Sequence, residues 1–246
     1  MTEGVNLEQP LPAREEIRNW SDVYNDVPFH PLAPLVHVLV LQPIGPHSRT
    51  LVFLHGRDGT ALQYAIANQA SWEDHRHRGT KHILPNAPLQ WDVERLRFCW
   101  LRSGKNNPAI SDVVEVSNSL FHLIQVEASD IGPLNLCVGG YSQGGMMAIH
   151  LGLSMGVGVI NGVVALNAWV LPCTLSTMVA KSRQPKLMSF NGDADVCVDP
   201  IRAQASYDGL SVARIDHPTR DIKHAIQPSV FRKVISCALA ELFPYP

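Results

Sequence analysis

The run Leu134-Asn-Leu-Cys-Val-Gly-Gly-Tyr-Ser142-Gln-Gly-Gly-Met-Met-Ala-Ile-His-Leu151 decides how the rest of the chain is read. Its first half is an apolar stretch the length of a buried strand, and it ends in glycines. One serine follows, and the text restarts at once with the spacing of an apolar helix. So short a turn between strand and helix lifts Ser142 clear of the sheet, with small residues at Gly140 and Gly144 letting the backbone double back. A helix opening near Gln143 aims free N–H groups and the positive end of its dipole at the space beside the serine. The pentapeptide G-x-S-x-G arises by chance often enough to mean little alone. The strand before it, the helix after it and the partners downstream give it weight.

A serine hydroxyl becomes a nucleophile when a base takes its proton and a carboxylate fixes the tautomer of that base. In Leu187-Met-Ser-Phe-Asn-Gly-Asp-Ala-Asp195-Val-Cys-Val an apolar strand breaks at Asn191-Gly192 and delivers two aspartates onto a loop. Asp195 is preferred as the carboxylate because it has room to turn back toward the sheet, whereas Asp193 braces the turn. A calcium loop through Asp193, Asp195 and Asp199 lacks the sixth-position glycine and the closing glutamate. Two histidines follow in Asp216-His217-Pro-Thr-Arg-Asp-Ile-Lys-His224, and His224 stands just ahead of the last helical pattern, with His217 the runner-up. Leu51-Val-Phe-Leu-His55-Gly56-Arg57-Asp-Gly59 is the early loop that brings a second backbone N–H, that of Arg57, to join that of Gln143 around an oxyanion. The Lys-Ser/Thr ending of a phosphate-binding loop is missing there, and His55 reads as a structural hydrogen-bonder.

Strand and helix patterns alternate from Leu35 onward, the order that builds an α/β fold with a mostly parallel sheet and helices on both faces. Strands are expected at 35–41, 50–54, 82–84, 134–138, 159–166, 186–190 and 211–216. Helices are expected at 61–72, 111–129, 144–153 and 225–242, and Pro43-Ile-Gly-Pro46 reads as a hairpin or tight connection between the first two strands. Residues 1–34, rich in proline and charge, read as an N-terminal extension to a domain spanning 35–246.

The chain has 246 residues, 46% of them hydrophobic, which suffices for one large core. Its 20 basic and 22 acidic residues are interspersed at a net charge of -2, so nucleic acid is not an expected partner. No apolar run approaches a bilayer span and the N-terminus lacks a signal-peptide pattern, so neither membrane insertion nor secretion is expected. Five scattered cysteines give no disulfide framework and no zinc-site spacing, which fits reduced thiols in the cytoplasm.

Leu54-His-Gly56, Pro85-Asn-Ala-Pro88, Gly140-Tyr-Ser-Gln-Gly-Gly145, Ala165-Leu-Asn-Ala-Trp169-Val-Leu-Pro172, Asn191-Gly-Asp-Ala-Asp195 and the late His224 occur in that order. Together they resemble the acyl-protein thioesterase and carboxylesterase family of α/β-hydrolases, over roughly residues 35 to 243 and in a divergent, fungal-like branch. The resemblance implies cleavage of acyl esters or thioesters with no metal and no organic cofactor. It also implies a Ser142–Asp195–His224 triad, oxyanion amides at Arg57 and Gln143, and an acyl pocket bordered by Trp100, Trp169 and Leu171. Homodimerisation is among the expected associations. The segment Gln90-Trp-Asp-Val-Glu-Arg-Leu-Arg97, followed by Cys99-Trp100-Leu101-Arg102, departs from the family pattern and implies a rebuilt pocket. Trp91, Trp100, Arg95 and Arg97 point to a rival reading, a tailoring esterase or lactonase for a bulky small-molecule ester. A catalytically silent fold that binds ligands or partners is the alternative outside enzymes.

Overall fold

A computed structural model describes residues 38–92, 97–102, 110–156, 158–178, 184–210, 213–216, 223–225 and 227–243, with backbone only at 89–92 and 97. The expected extension over 1–34 and the runner-up base His217 lie outside the described residues.

Strict apolar alternation sets the sheet. In β2 (Arg49–Leu54), Leu51 and Phe53 point into one core while Val52 and Leu54 point into the other. β6 (Leu136–Tyr141), β7 (Gly162–Leu166) and β8 (Lys186–Phe190) repeat this. Strands buried on both faces need covers on both faces. α1 (Ala61–Ala67), α2 (Gln69–Arg76) and α7 (Pro228–Leu242) close the side of Phe53. α3 (Ile110–Ile131), α4 (Gln143–Met155) and α6 (Pro200–Asp208) close the side of Val52. With β1 (Val38–Leu41), β3 (Thr80–Pro85) and β9 (Arg214–Asp216), the seven-stranded order is β1-β3-β2-β6-β7-β8-β9. Every neighbouring pair is parallel except β1 with β3. The α/β-hydrolase fold expected from the sequence is therefore the fold observed.

Several boundaries differ from the sequence expectation, each for a local reason. β1 does not form a hairpin with β2; it crosses to the edge and pairs antiparallel with β3. The helix expected over 61–72 breaks at Asn68, whose φ of -119° is not helical. Pro133–Asn135 forms a 3-10 turn, so β6 starts at Leu136 rather than Leu134. α7 starts at Pro228, where proline is suited to a first helical turn, rather than at Ala225. The sequence reading omitted α5 (Pro172–Thr177), α6, and the antiparallel pair β4 (Leu89–Asp92) and β5 (Arg97–Cys99). None of the five cysteines is in a disulfide. Among the described residues, no helix is long and apolar enough to cross a membrane.

Four histidines sit inside this packing. Burial lowers His55, His75 and His150 to about 4 and takes His82 well below its ordinary value, so all four are neutral when folded. His82 lies against the Trp72 ring at 4.9 Å, and neither of its ring nitrogens has a hydrogen-bond partner among the described residues. An unfolded histidine gains a proton below about 6.5, whereas these stay neutral until lower pH, so their contribution to stability is lost as pH falls. We predict that the unfolding free energy from urea denaturation drops between pH 6.5 and 4, by up to about 1.4 kcal/mol per pH unit for each such histidine. His82→Phe should flatten that slope and raise stability at pH 7 by about 1 kcal/mol, because it removes a buried polar ring without a partner. An unchanged slope would contradict this account.

Candidate active site

The carboxyl ends of the parallel strands share one edge of the sheet, and every predicted site residue except Trp100 stands on or next to a loop leaving that edge. β6 runs straight into α4 through Ser142, whose φ of 54° and ψ of -121° are strained for any residue with a Cβ. The helix end makes no use of the hydroxyl, since the Ser142 side chain caps no N–H of α4. Its Oγ instead lies 3.2 Å from His224 Nε2. His224 Nδ1 lies 2.8 Å from Asp195 Oδ2. The only atom able to donate in that second contact is Nδ1, so Nε2 carries the lone pair that faces the serine. Asp195 is buried, and its other oxygen, Oδ1, accepts from the amides of Cys197 at 2.7 Å and Val198 at 2.8 Å. The carboxylate is thus fixed by three donors. Asp193, the alternative, is exposed.

The early loop lies beside the elbow. A Cβ on Gly144 would stand 2.2 Å from the Leu54 carbonyl oxygen and 2.3 Å from that of His55, so α4 and the end of β2 meet only because residue 144 is glycine. Asp58 donates its amide to Phe98 O at 3.0 Å and Gly59 donates to Gly56 O at 3.1 Å, which shapes the turn carrying Arg57. His55 donates from Nδ1 to Gly56 O at 2.7 Å and accepts at Nε2 from the Ala87 amide at 3.0 Å, a structural role that needs the neutral ring. Gln143, the first residue of α4, donates its side-chain amide to Leu101 O at 3.0 Å and so ties the 99–102 segment to the elbow.

Of the residues expected around an acyl pocket, Trp100 and Leu171 are fully buried, and Trp100 Nε1 donates to His55 O at 2.7 Å. Trp169 is also buried, with the Arg202 guanidinium 5.6 Å from its ring centre. None of the three lines the cavity of about 240 Å³ between α1 and α7, whose walls include Tyr64, Ala67, Tyr141 and Phe231. The side chains of Trp91, Arg95 and Arg97, invoked for a bulky-ester pocket, lie outside the described residues.

The sequence reading missed two residues that hold the loops together. Asn167, at the end of β7, is buried with a φ of 45°. Its Nδ2 donates to Lys223 O at 3.3 Å and His224 O at 3.2 Å, while its Oδ1 accepts from the Gly192 amide at 2.9 Å. One side chain therefore joins the loop of Asp195 to the loop of His224. Tyr141 donates its hydroxyl to the same His224 carbonyl, and burial together with the Asp195 charge raises its pKa, which keeps that proton in place. Both lie within motifs that carried the family resemblance, but their partners are far away in sequence.

Serine, carboxylate and imidazole in that chain order, at the carboxyl edge of such a sheet, define the α/β-hydrolase class. The sequence profile of the phospholipase/carboxylesterase family matches residues 36–238. The chain belongs to this family, whose members hydrolyse ester bonds. It is 29% identical to acyl-protein thioesterase 1 of Gibberella zeae over 194 residues, 71% of this chain and 80% of the relative. It is 24% identical to lysophospholipase-like protein 1 of Mus musculus over 226 residues, 82% of this chain and 91% of the relative. Among solved structures, esterase PE8 shares the fold at a TM-score of 0.69 and 19% identity, covering 83% of this chain and 97% of that one. Acyl-protein thioesterase 2 of Zea mays does so at 0.64 and 20%, covering 83% and 98%.

The bridge through Asn167 makes a separable prediction. Asn167→Ala and Asn167→Gly should both lower kcat for p-nitrophenyl esters by about ten- to a hundredfold with little change in KM, because the loop of His224 loses its tether to the loop of Asp195. The glycine variant should be the more stable of the two by about 1 kcal/mol, since it adopts a positive φ without steric cost. Steady-state kinetics and urea unfolding read both effects, and an unchanged kcat would refute the tether.

Proposed function

We propose that the chain hydrolyses acyl esters or thioesters by two-step acyl transfer, with Ser142 as nucleophile, His224 as base and Asp195 as the carboxylate that orients it. The observation that carries this reading is the continuous path from Ser142 Oγ through His224, with contacts of 3.2 Å and 2.8 Å, to a carboxylate anchored by two amides. Ser142 Oγ attacks the carbonyl carbon as Nε2 takes its proton, and the imidazolium that forms is stabilised by Asp195. The negative charge on the carbonyl oxygen meets the amide of Gln143, aided by the positive end of α4, and the amide of Arg57 on the neighbouring loop. The imidazolium returns its proton to the leaving alcohol or thiol. Water then attacks the acyl-serine by the same route in reverse, with His224 again taking the proton.

Every group in this sequence of steps is a side chain or a backbone amide of the chain itself, so the reaction calls for no cofactor. The relatives' names favour an acyl group on a thioester or on a lysophospholipid as the substrate class. Within this reading the substrate is an ester or thioester and not a nucleic acid, and the protein works in the cytoplasm.

Ser142→Ala should lower turnover of p-nitrophenyl acetate and of an acyl thioester by roughly four to six orders of magnitude and abolish labelling by a fluorophosphonate. Asp195→Asn should cost roughly 10⁴ in kcat, because the amide favours the wrong tautomer of His224. Retention of near-normal activity by the Ser142→Ala variant would overturn the assignment.

A further inference from the structure

Cys197 enters the steps above only through its backbone amide on Asp195, yet its sulfur also lies beside them. Its Sγ, a ring nitrogen of His224 and a carboxylate oxygen of Asp195 all lie within 4.8 Å of one another. The thiol is partly exposed and His224 half-buried, so the cluster can be reached from solvent. We propose that these three side chains form an inhibitory site for a soft divalent cation of the Zn²⁺ class, a proposal that rests on the catalytic roles assigned to His224 and Asp195.

The chemistry favours such an ion. Zn²⁺ takes thiolate, imidazole and carboxylate at about 2.3, 2.0–2.1 and 2.0–2.2 Å, which puts tetrahedral ligand atoms roughly 3.3–3.6 Å apart. A cluster already within 4.8 Å needs small side-chain movements to reach that spacing. The contact of 2.8 Å between Nδ1 and Oδ2 must open by about half an ångström to admit the ion between them. Asp195 can do this without leaving its place, because the amides of Cys197 and Val198 hold Oδ1 while Oδ2 turns to the metal. Mg²⁺ and Ca²⁺ prefer all-oxygen shells and are not matched by sulfur and nitrogen.

Occupancy would silence the base through its tautomer. When the metal binds Nδ1, the thiol proton leaves to solvent and the single imidazole proton moves from Nδ1 to Nε2. Nε2 then faces Ser142 as a donor with no lone pair, so it cannot accept the serine proton. Two anionic ligands balance the ion's charge, and water completes the four-coordinate shell. The sequence spacing hides the site, since Asp195 and Cys197 are neighbours but His224 comes from a different loop.

The test uses the full-length protein, Zn²⁺ as inhibitor and Co²⁺ as a spectroscopic probe. Zn²⁺ should inhibit hydrolysis of p-nitrophenyl acetate reversibly, with recovery on chelation, whereas Mg²⁺ and Ca²⁺ at equal concentration should not inhibit. Cys197→Ser and Cys197→Ala, which keep the backbone amide on Asp195 Oδ1, should each raise the half-inhibitory Zn²⁺ concentration at least about tenfold, read against that variant's own metal-free rate. Co²⁺ should give a thiolate-to-metal charge-transfer band with the wild type and with Ser142→Ala, and no such band with either Cys197 variant. Equal Zn²⁺ inhibition of wild type and both variants, or a missing cobalt band in the wild type, overturns the proposal. Because the band is read without turnover, it separates failure of the metal site from failure of the hydrolase reading.

Discussion

Ser142 keeps a backbone conformation that L-residues avoid, and the rest of the site depends on the contacts that force it there. Its φ of 54° costs of order 1–3 kcal/mol and survives only where the surroundings over-determine it. Those surroundings are close backbone approaches. A Cβ on Gly140 would lie 2.3 Å from the Gly144 carbonyl, and one on Gly144 would collide with the end of β2. With side chains excluded at both positions, α4 starts directly above the sheet, and the Ser142 amide donates to Leu166 O at 2.9 Å. The hydroxyl is thereby held out over the carboxyl edge, where the His224 imidazole reaches it.

The same edge explains how side chains remote in sequence come to share a few ångströms. Parallel strands direct all their outgoing loops to one side, and the strand order places β2, β6, β7 and β8 side by side. β2 supplies the loop of Arg57, β6 the serine, β7 the bridge at Asn167 and β8 the loop of Asp195. Asn167 is the cross-link that turns adjacent loops into one assembly, because its amide group bonds to the loop of Asp195 at one end and the loop of His224 at the other. Deep apolar packing on both faces of the sheet gives those loops a rigid base. The buried neutral histidines are a by-product of that packing and set its sensitivity to acid.

What the sequence made legible was local. The elbow is encoded within a dozen residues, and the alternation of Leu51, Val52, Phe53 and Leu54 announces a strand buried on both faces. The order of serine, aspartate and histidine then follows from topology. Pairings between distant segments were not legible: nothing in Val38–Leu41 says that it will run antiparallel to β3 rather than turn back on β2. The start of α6 was marked, because Asp199 accepts from the amides of Ile201 and Arg202 and Pro200 follows it, but Asp199 was weighed only as a calcium ligand. Asn167 stood in a quoted motif without a role, since its role exists only when the loops after β8 and β9 arrive beside it. The pocket was the least legible part, because Trp100 and Leu171 look like ligand-facing residues in a motif and are fully buried in the fold.

The central claim is that Ser142 is acylated in the course of hydrolysis. Intact-mass spectrometry of an acid-quenched reaction with a slowly turned-over acyl thioester tests it directly. The account predicts one acyl adduct per chain, mapped by digestion to the peptide containing Ser142, with the adduct absent from the Ser142→Ala variant. Turnover with no adduct in the pre-steady state, or an adduct on any other residue, would contradict it.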